Sequence, residues 1–436
     1  MVGINYTYWK QNPSLRENRI PIESYNFDPK GKPEPQMWLT VTSFGYGWFL
    51  APYSFFTFFN LEANEITIRI FSLLWLAFTL LPIYLISKNL TKNLPGNSSV
   101  VYLTLIFYLF NSSVLWYHVQ GYVHETAVLP FYFLNWFFFL RFIQTSHFKW
   151  LLALGICSFV SVQFDWLPCF QAAIMSTYML MKRKSIRNNL AFVIPSLGIL
   201  LGIAWIVYTY STWATLPVYM EFLKDKFLSR TIGSGGLQII PRLNYNFNII
   251  LFYLTGYGLL CVLFVWGLLK KKTPQVVWLI IFSAIAHHVV FWGFSTEHDH
   301  AVLKMAFPIA FISASVVSGF TGIKRITFAG LLVLVNIFIY FYLHNLYTRK
   351  GMYTNPNFCY EAGKYISENI KEKDKVVFIN TQGKYLLQIE FYAGRPYTTA
   401  SSLEEARQIL HEKYPDKEGY FIDGEKEGIG KVIKFK

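Results

Sequence analysis

Ten stretches of apolar residues, each close to the thickness of a bilayer, follow one another along most of this 436-residue chain. A helix needs about 20 such residues to cross the hydrocarbon core of a membrane. Hydrophobic residues make up 53% of the sequence and the mean hydropathy is +0.32, as is typical of a polytopic membrane protein. We therefore predict an all-α polytopic membrane protein. Its spans lie at about 66–87, 98–116, 125–143, 149–164, 166–181, 189–210, 248–269, 276–295, 301–320 and 325–346.

Every second loop between these spans is basic, and the chain as a whole has a formal net charge of +14. The basic loops contain Lys88 and Lys92, Arg141 and Lys149, 182–187, 270–272, and Lys324 with Arg325. By the positive-inside rule these loops are cytoplasmic, which predicts that the other loops and both termini are non-cytoplasmic. Because the basic residues lie in short loops between spans, the charge indicates contact with membrane lipids and no nucleic-acid partner.

Residues 1–65 form a polar first loop that we expect on the non-cytoplasmic side. It ends in SFGYGWFLAPYSFFTFF (43–59), an aromatic stretch typical of an amphipathic segment that lies in the membrane interface. No apolar targeting segment precedes this loop. We therefore expect an upstream first transmembrane helix that this sequence lacks. The predicted transmembrane domain follows at 66–346.

Residues 347–436 return to the composition of a soluble globular domain. Their pattern predicts a helix near 357–371, a strand at 375–380, a helix near 384–393, a helix capped by Ser402, and two final strands, GYFID and KVIKF. We predict a small α/β domain on the non-cytoplasmic face.

Several ionisable residues lie at the predicted non-cytoplasmic ends of the spans, where a charge costs several kcal/mol unless it is paired or lines a cavity. Glu125 either interacts with the positive end of a helix dipole or has a catalytic or metal-binding role. Asp165, between the fourth and fifth spans, is interpreted as a helix cap. Arg69 and Lys304 either extend toward lipid headgroups or bind a phosphate.

The segment His298-Asp299-His300 has more polar groups than a helix cap requires, and it favours a metal or a phosphodiester over a solvated turn. Lys304 follows His300 by four residues, on the same helical face. His287 and His288 are interpreted as packed residues within a span. The 211–247 loop is interpreted as a flexible lid, whose Arg230 and Arg242 either face water or reach a lipid phosphate.

Features along residues 40–320 resemble, in their order, the multi-pass glycosyltransferases of the C superfamily. These are SFGYGWFLAPY before a span that begins IRIFSLLW, a short polar loop that ends in HET, a short helical hairpin, and HDHAVLKMAFPIAF. The superfamily contains the dolichyl-phosphate-mannose protein mannosyltransferases and the aminoarabinose transferase of lipid A.

The resemblance implies an enzyme that moves a hexosyl or pentosyl group from a polyprenyl-phosphate donor to a lipid, glycan or protein acceptor. It implies inverting single displacement at the non-cytoplasmic face of a bacterial inner membrane, with a carboxylate base. The candidates for that acid in the first loop are Glu17 and Asp28, and Glu125 matches a second acid. The expected phosphate ligands are Arg69, Lys304, His298 and Arg242. The cofactor stays open, and a divalent cation would be held by Asp299 and His300.

Three other functions compete with this interpretation. A polymerase or ligase of lipid-linked polysaccharide normally has a larger, arginine-rich loop than 211–247. A transporter or flippase of lipid-linked glycans is expected to have paired halves and charges near mid-bilayer, whereas the charges here lie at one face. A non-catalytic membrane assembly protein remains an alternative.

Overall fold

The computed structural model describes residues 47–92, 97–120, 122–182, 191–211, 216–232, 242–270, 273–349, 356–370, 375–381, 389, 392–393, 395, 397–425 and 428–436. The described residues up to Leu343 belong to one compact unit, and those from His344 belong to a second. The predicted domain boundaries, 65/66 and 346/347, stay predictions.

The first unit is helical. Its helices are α1 Gly47–Phe58, α2 Glu65–Thr91, α3 Asn97–Leu109, α4 Ser112–Gln120, α5 His124–Thr145, α6 Phe148–Ser161, α7 Leu167–Met181, α8 Val193–Ser211, α9 Leu216–Ile232, α10 Arg242–Tyr257, α11 Leu259–Lys270, α12 Gln275–Val290, α13 Trp292–Glu297, a 3₁₀ helix Asp299–Met305, α14 Ala306–Val317 and α15 Gly322–Arg349.

Five helical segments within the described residues are long and apolar enough to cross a membrane: α2, α5, α8, the 3₁₀ helix with α14, and α15. Two bent pairs raise the number to seven if each is one span; α3 and α4 meet at 53°, and α10 and α11 at 99°. The chain is an integral membrane protein. Each of the ten predicted spans overlaps a helix, and the number of crossings stays a prediction.

Helix α5 is central to the first unit and packs against α2 and α6. Its aromatic side chains Tyr132, Phe133 and Trp136 are fully buried. Two hydrogen bonds connect α5 to α7. Asn135 donates to the side chain of Gln171 over 3.1 Å, and Gln171 donates back to the Tyr132 carbonyl over 2.7 Å. The other strongly buried span, Asp299–Val317, packs through α14 against α3 and α11. The least buried of the five candidate spans in the described residues is α15, whose Ile323 and Phe338 are more than two-thirds exposed.

The aromatic stretch predicted to lie in the interface is described from residue 47 onward, where it forms α1. Trp48, Phe49 and Phe56 are buried, while Phe58 and Phe59 are exposed. The helix packs against α2 and α5, and the Gly47 amide donates to the Gln163 carbonyl over 3.1 Å. One face of this stretch therefore belongs to the protein interior.

The second unit has a four-stranded sheet of order β2-β1-β3-β4. Its elements are α16 Pro356–Asn369, β1 Val376–Ile379, β2 Thr398–Thr399, α17 Leu403–Lys413, β3 Gly419–Glu425 and β4 Gly428–Phe435. Strand β1 is parallel to β2 and β3, and β4 is antiparallel to β3. The Ser402 cap is confirmed, because its hydroxyl accepts from the Glu405 amide over 3.2 Å. Most of the helix predicted near 384–393 lies outside the described residues.

Small residues let α6 and α8 approach each other closely. A Cβ added at Gly198 would collide with the carbonyl oxygen of Gly155 and lie 3.0 Å from Ser158 Cβ. Gly198 and Gly202 are four residues apart, the small-xxx-small spacing that brings membrane helices into backbone contact. Helices α6 and α8 are therefore held together by contacts that tolerate no side chain at Gly198.

Substitution of Gly198 by alanine should destabilise the first unit by about 1–3 kcal/mol, the usual cost of forcing a methyl group into filled space. The matched control is Gly330→Ala on α15, where a Cβ would have no neighbour within 4 Å. Removing a glycine from a helix there should stabilise by about 0.5–1 kcal/mol. Thermal unfolding of the detergent-solubilised protein measures both, and shifts of the same sign would contradict the close packing.

Candidate active site

A polar cavity lies in the first unit where several helix ends meet. It is bounded by the starts of α5 and the 3₁₀ helix, the turn between α6 and α7, the end of α9, and the segment from α12 to α13. Its ionisable lining residues are His124, Glu125, Asp165, Arg230, His287, His300 and Lys304. So many ionisable groups around one cavity of a membrane protein indicate a functional site.

The start of α5 fixes the positions of the first two of these residues. Val123 is extended, and the Thr126 hydroxyl donates to the Val123 carbonyl over 2.9 Å while it accepts from the Val123 amide over 3.3 Å. This reciprocal contact ends the preceding loop and starts the helix, so His124 and Glu125 occupy its first turn. The positive end of the helix dipole there favours a carboxylate.

Glu125 lies between two imidazoles. Its Oε1 atom is 2.6 Å from His124 Nε2 and 2.6 Å from His300 Nε2, and the residue is only 8% exposed. His300 comes from the 3₁₀ helix, 175 residues further along the chain. The His124 ring is packed edge-on against Trp48 of α1, with ring centroids 5.7 Å apart. The carboxylate thus joins two distant segments of the chain.

Asp165 supplies a second carboxylate from the turn between α6 and α7. Its Oδ1 atom accepts from the Leu167 amide over 2.9 Å, which confirms the predicted helix cap. Its Oδ2 atom is 3.8 Å from His124 Nε2, so the same residue also faces the cavity. Burial raises the pKa of Asp165 above its ordinary value, and the charge of Glu125 raises it further.

Two basic side chains complete the cavity. Lys304 is 4% exposed, and its Nζ atom is 2.6 Å from His287 Nδ1. Arg230 lies near the end of α9, with its guanidinium 5.4 Å from the centre of the Phe294 ring. Lys304 therefore points into the protein, and the alternative that it extends toward lipid headgroups is wrong.

An apolar pocket adjoins this polar cavity. Arg230, Trp166 and Phe291 line both, and the rest of the apolar pocket is formed by Cys169 and Phe170 of α7 together with α9 residues. The α9 residues are Met220, Leu223, Lys224 and Phe227. Arg230 thus lies on the wall between an apolar space and a charged one.

The sequence matches no protein-family model and no curated protein. The structure is similar to ArnT from Cupriavidus metallidurans bound to undecaprenyl phosphate, with a TM-score of 0.60, 9% identity, and coverage of 97% of this chain and 88% of that one. It is also similar to the oligosaccharyltransferase AglB from Archaeoglobus fulgidus in complex with an inhibitory peptide and a dolichol-phosphate. Here the TM-score is 0.55, identity is 13%, and coverage is 96% of this chain and 65% of that one.

This chain has the GT-C fold. The resemblance found in the sequence is confirmed at the level of the fold. A structure of an Archaeoglobus fulgidus oligosaccharyltransferase in complex with Zn and sulfate also matches, with a TM-score of 0.51 and 15% identity over 87% of this chain. The chain spans less than two thirds of either oligosaccharyltransferase, 65% and 59%.

The polar cavity contains three of the predicted site residues: Glu125, His300 and Lys304. Arg69 lies elsewhere, in a half-exposed pair with Glu65 one turn earlier in α2, at 2.5 Å. His298 is exposed and stacks on His300, with ring centroids 5.0 Å apart. Asp299 Oδ1 is 4.0 Å from His300 Nδ1. Glu17, Asp28 and the side chain of Arg242 lie outside the described residues.

Four cavity residues were missed as functional candidates or ranked below structural alternatives: His124, Asp165, Arg230 and His287. The polar cluster before Glu125 was the available signal for His124, and the charge of Asp165 in an apolar hairpin was the signal there. Nothing local distinguishes Arg230 from other arginines. His287 looks like a packed residue because its partner, Lys304, is 17 residues away on another helix.

Among the described residues, one group fits a single metal ion: His124, Glu125 and His300, whose ligand atoms all lie within 4.8 Å of one another. Both carboxylate oxygens of Glu125 are buried, and neither accepts a hydrogen bond of good geometry. Two imidazoles and one carboxylate match a known zinc ligand set that leaves a position open. The sequence predicted Asp299 and His300 as the metal ligands. The group found here includes His300 and does not include Asp299.

We expect purified protein to bind Zn²⁺ through this group. Glu125→Gln or His300→Ala should weaken binding by at least 10-fold, because each removes one of three ligands. Asp299→Asn should change it less than about 3-fold, as expected for a side chain outside the ligand set. Titration with a competing chelator measures all of them. Equal losses for Asp299→Asn and His300→Ala would favour the ligand pair predicted from the sequence.

Proposed function

We propose that the protein is a membrane glycosyltransferase that moves a sugar from a polyprenyl-phosphate donor to an acceptor at the non-cytoplasmic face. The observation that carries this proposal is the shared wall at Arg230. An apolar pocket suited to an isoprenoid chain meets a buried cavity that has cations for a phosphate and carboxylates for an acceptor hydroxyl. The GT-C fold supports the same chemistry, since similar structures were solved with undecaprenyl phosphate and dolichol-phosphate.

The donor would bind with its first isoprene units in the apolar pocket, against Phe170 and Phe227, and with its phosphate beside Arg230. Burial of apolar surface provides affinity without selecting a sugar. Arg230 and Lys304 would neutralise the phosphate in a buried cavity, where such contacts are stronger than in solution. Both cations line that cavity, which supports this mode of binding.

Transfer would be a single inverting displacement. The acceptor hydroxyl loses its proton to a carboxylate while its oxygen bonds to the anomeric carbon, and the bond from that carbon to the phosphate oxygen breaks. Polyprenyl phosphate leaves with one more negative charge, which Arg230 and Lys304 stabilise. We assign the base to Asp165, because its raised pKa makes it a stronger base than an exposed aspartate and Glu125 is in contact with two imidazoles.

His124, Glu125 and His300 would hold a divalent cation on the wall of the same cavity. Such an ion acts as a Lewis acid toward a phosphate oxygen. Independently of the ion, these residues hold the beginnings of α5 and the 3₁₀ helix together. Glu17 and Asp28, the predicted bases of the first loop, stay candidates for the acceptor side.

The predicted topology is part of this proposal: ten crossings, both termini non-cytoplasmic, and a bacterial inner membrane. Its support comes from the convergence of four chain segments that were all predicted on the non-cytoplasmic side. These segments contain Glu125, Asp165, Arg230 and His300, and they line one cavity. The described residues of the five basic loops, which exclude 183–187 and 271–272, do not line that cavity.

The donor site is tested by release of polyprenyl phosphate from a polyprenyl-phosphate sugar in reconstituted membranes, in the presence of a cell-envelope extract as acceptor. Arg230→Gln should lower kcat/KM by about 10- to 100-fold, the effect of losing one hydrogen bond to a charged group. Arg69→Gln should change it little, because Arg69 is half-exposed and paired with Glu65. A strong loss for Arg69→Gln with normal turnover in Arg230→Gln would contradict this donor site.

The base is tested by the pH dependence of kcat/KM. Asp165 accepts a proton only when it is ionised, so activity should fall as the pH decreases through its raised pKa. The acid limb should therefore lie above the ordinary aspartate value of about 3.9. Asp165→Asn should lower kcat by about 10²- to 10⁴-fold and remove this limb. The control is Asp225→Asn, an exposed position on α9; an unchanged limb in Asp165→Asn would exclude Asp165 as the base.

A further inference from the structure

Helix α12 has two adjacent histidines with different surroundings. Neighbouring residues of an α-helix point about 100° apart. His287 lines the polar cavity, whereas His288 is turned toward α10, where its Nε2 atom is 2.8 Å from the Tyr253 hydroxyl. The two imidazoles therefore belong to different parts of the molecule.

The contact between His287 and Lys304 joins His287 Nδ1 to Lys304 Nζ over 2.6 Å. An ammonium group has only donors, so in its ammonium form Lys304 donates and His287 Nδ1 accepts. The imidazole that accepts in this way is neutral, with its proton on Nε2. Both side chains are more than nine-tenths buried. One of the three N–H groups of Lys304 is thus used by His287, and the other two remain for the cavity.

Two aromatic rings fix the orientation of this imidazole. Phe170 of α7 and Phe291, at the end of α12, pack edge-on against it with ring centroids 5.3 and 5.1 Å away. An imidazole packed between these two rings holds its Nδ1 atom in a fixed position. Lys304 has a long, flexible side chain, so its position depends on such a fixed acceptor.

The alternative partners of Lys304 are the two carboxylates of the same cavity. Within the described residues, no carboxylate lies within the 4.0 Å of an ion pair with Lys304, although Glu125 and Asp165 line the cavity with it. If the ammonium moved onto Asp165, it would hold that carboxylate as an ion pair and leave the donor phosphate with one cation fewer. The contact with His287 prevents both effects.

We propose that His287 is a positioning residue of the transfer reaction, which holds Lys304 toward the donor phosphate and away from Asp165. This inference rests on the proposed function of the cavity. His287 itself touches neither the donor nor the acceptor. Its effect passes through Lys304, so it should be absent when Lys304 is absent.

The test compares His287→Leu, which removes the acceptor, with His287→Asn, whose amide oxygen can occupy nearly the same position. In the polyprenyl-phosphate release assay, His287→Leu should lower kcat/KM by about 10- to 100-fold, as for one hydrogen bond to a charged group. It should raise the KM for the donor, and His287→Asn should recover most of the loss. In the Lys304→Ala background, His287→Leu should cause no further loss.

A purely structural role predicts a different pattern. The matched control is His288→Leu, which loses the contact with Tyr253 and should lower thermal stability while kcat/KM stays within about 2-fold. Equal losses in His287→Leu and His287→Asn, or additive losses with Lys304→Ala, would overturn the positioning role and leave the proposed function intact. If the unmodified protein neither binds polyprenyl phosphate in native mass spectrometry nor releases it, the proposed function fails and this inference fails with it.

Discussion

A buried carboxylate between two imidazoles is the contact on which the rest of this site depends. Glu125 on its own would be costly in the protein interior, because a buried charge is tolerated only when it is paired or binds a metal. The two contacts of 2.6 Å to His124 and His300 provide such partners. They also require the starts of α5 and of the 3₁₀ helix to lie side by side.

That requirement is met by the packing of the first unit. Helix α5 and the span that begins at Asp299 are the two most buried candidate spans. Packing of the strongly buried side chains of α5 and α14 therefore determines where their first residues lie. The short hairpin of α6 and α7 then brings Asp165 to the same cavity, and α9 brings Arg230.

Within the described residues, Lys304 forms no ion pair with the two carboxylates of its cavity. Its Nζ atom contacts the imidazole of His287, and Glu125 Oε1 lies between the imidazoles of His124 and His300. One carboxylate oxygen of Asp165 accepts a hydrogen bond from the Leu167 backbone amide. Each charged group is thus held by a fixed partner, which is the preorganisation that electrostatic catalysis requires. Histidine suits this purpose because one ring can accept a hydrogen bond at one nitrogen and donate at the other.

Much of the fold was predictable from local sequence. All ten predicted spans overlap helices, and the Ser402 cap is where the sequence indicated. Glu125, His300 and Lys304 were recognised because charges at the edge of apolar stretches are unusual. The metal pair of His300 with Asp299 stays a prediction, and the structure groups His300 instead with His124 and Glu125, which are far from it in sequence. Arg230 was treated as part of a flexible loop, and only the helix α9 brings it to the cavity.

Hydropathy and charge are properties of short segments, so the sequence by itself determined that this protein is embedded in a membrane and predicted which segments lie on one face. Segments on the same face still have many ways to pair. The contact between Glu125 and His300, and the one between His287 and Lys304, join residues on different helices. Such contacts depend on how helices pack, through close approaches such as that at Gly198. Only the tertiary structure decided them, because packing depends on the complementary shapes of surfaces far apart in the chain.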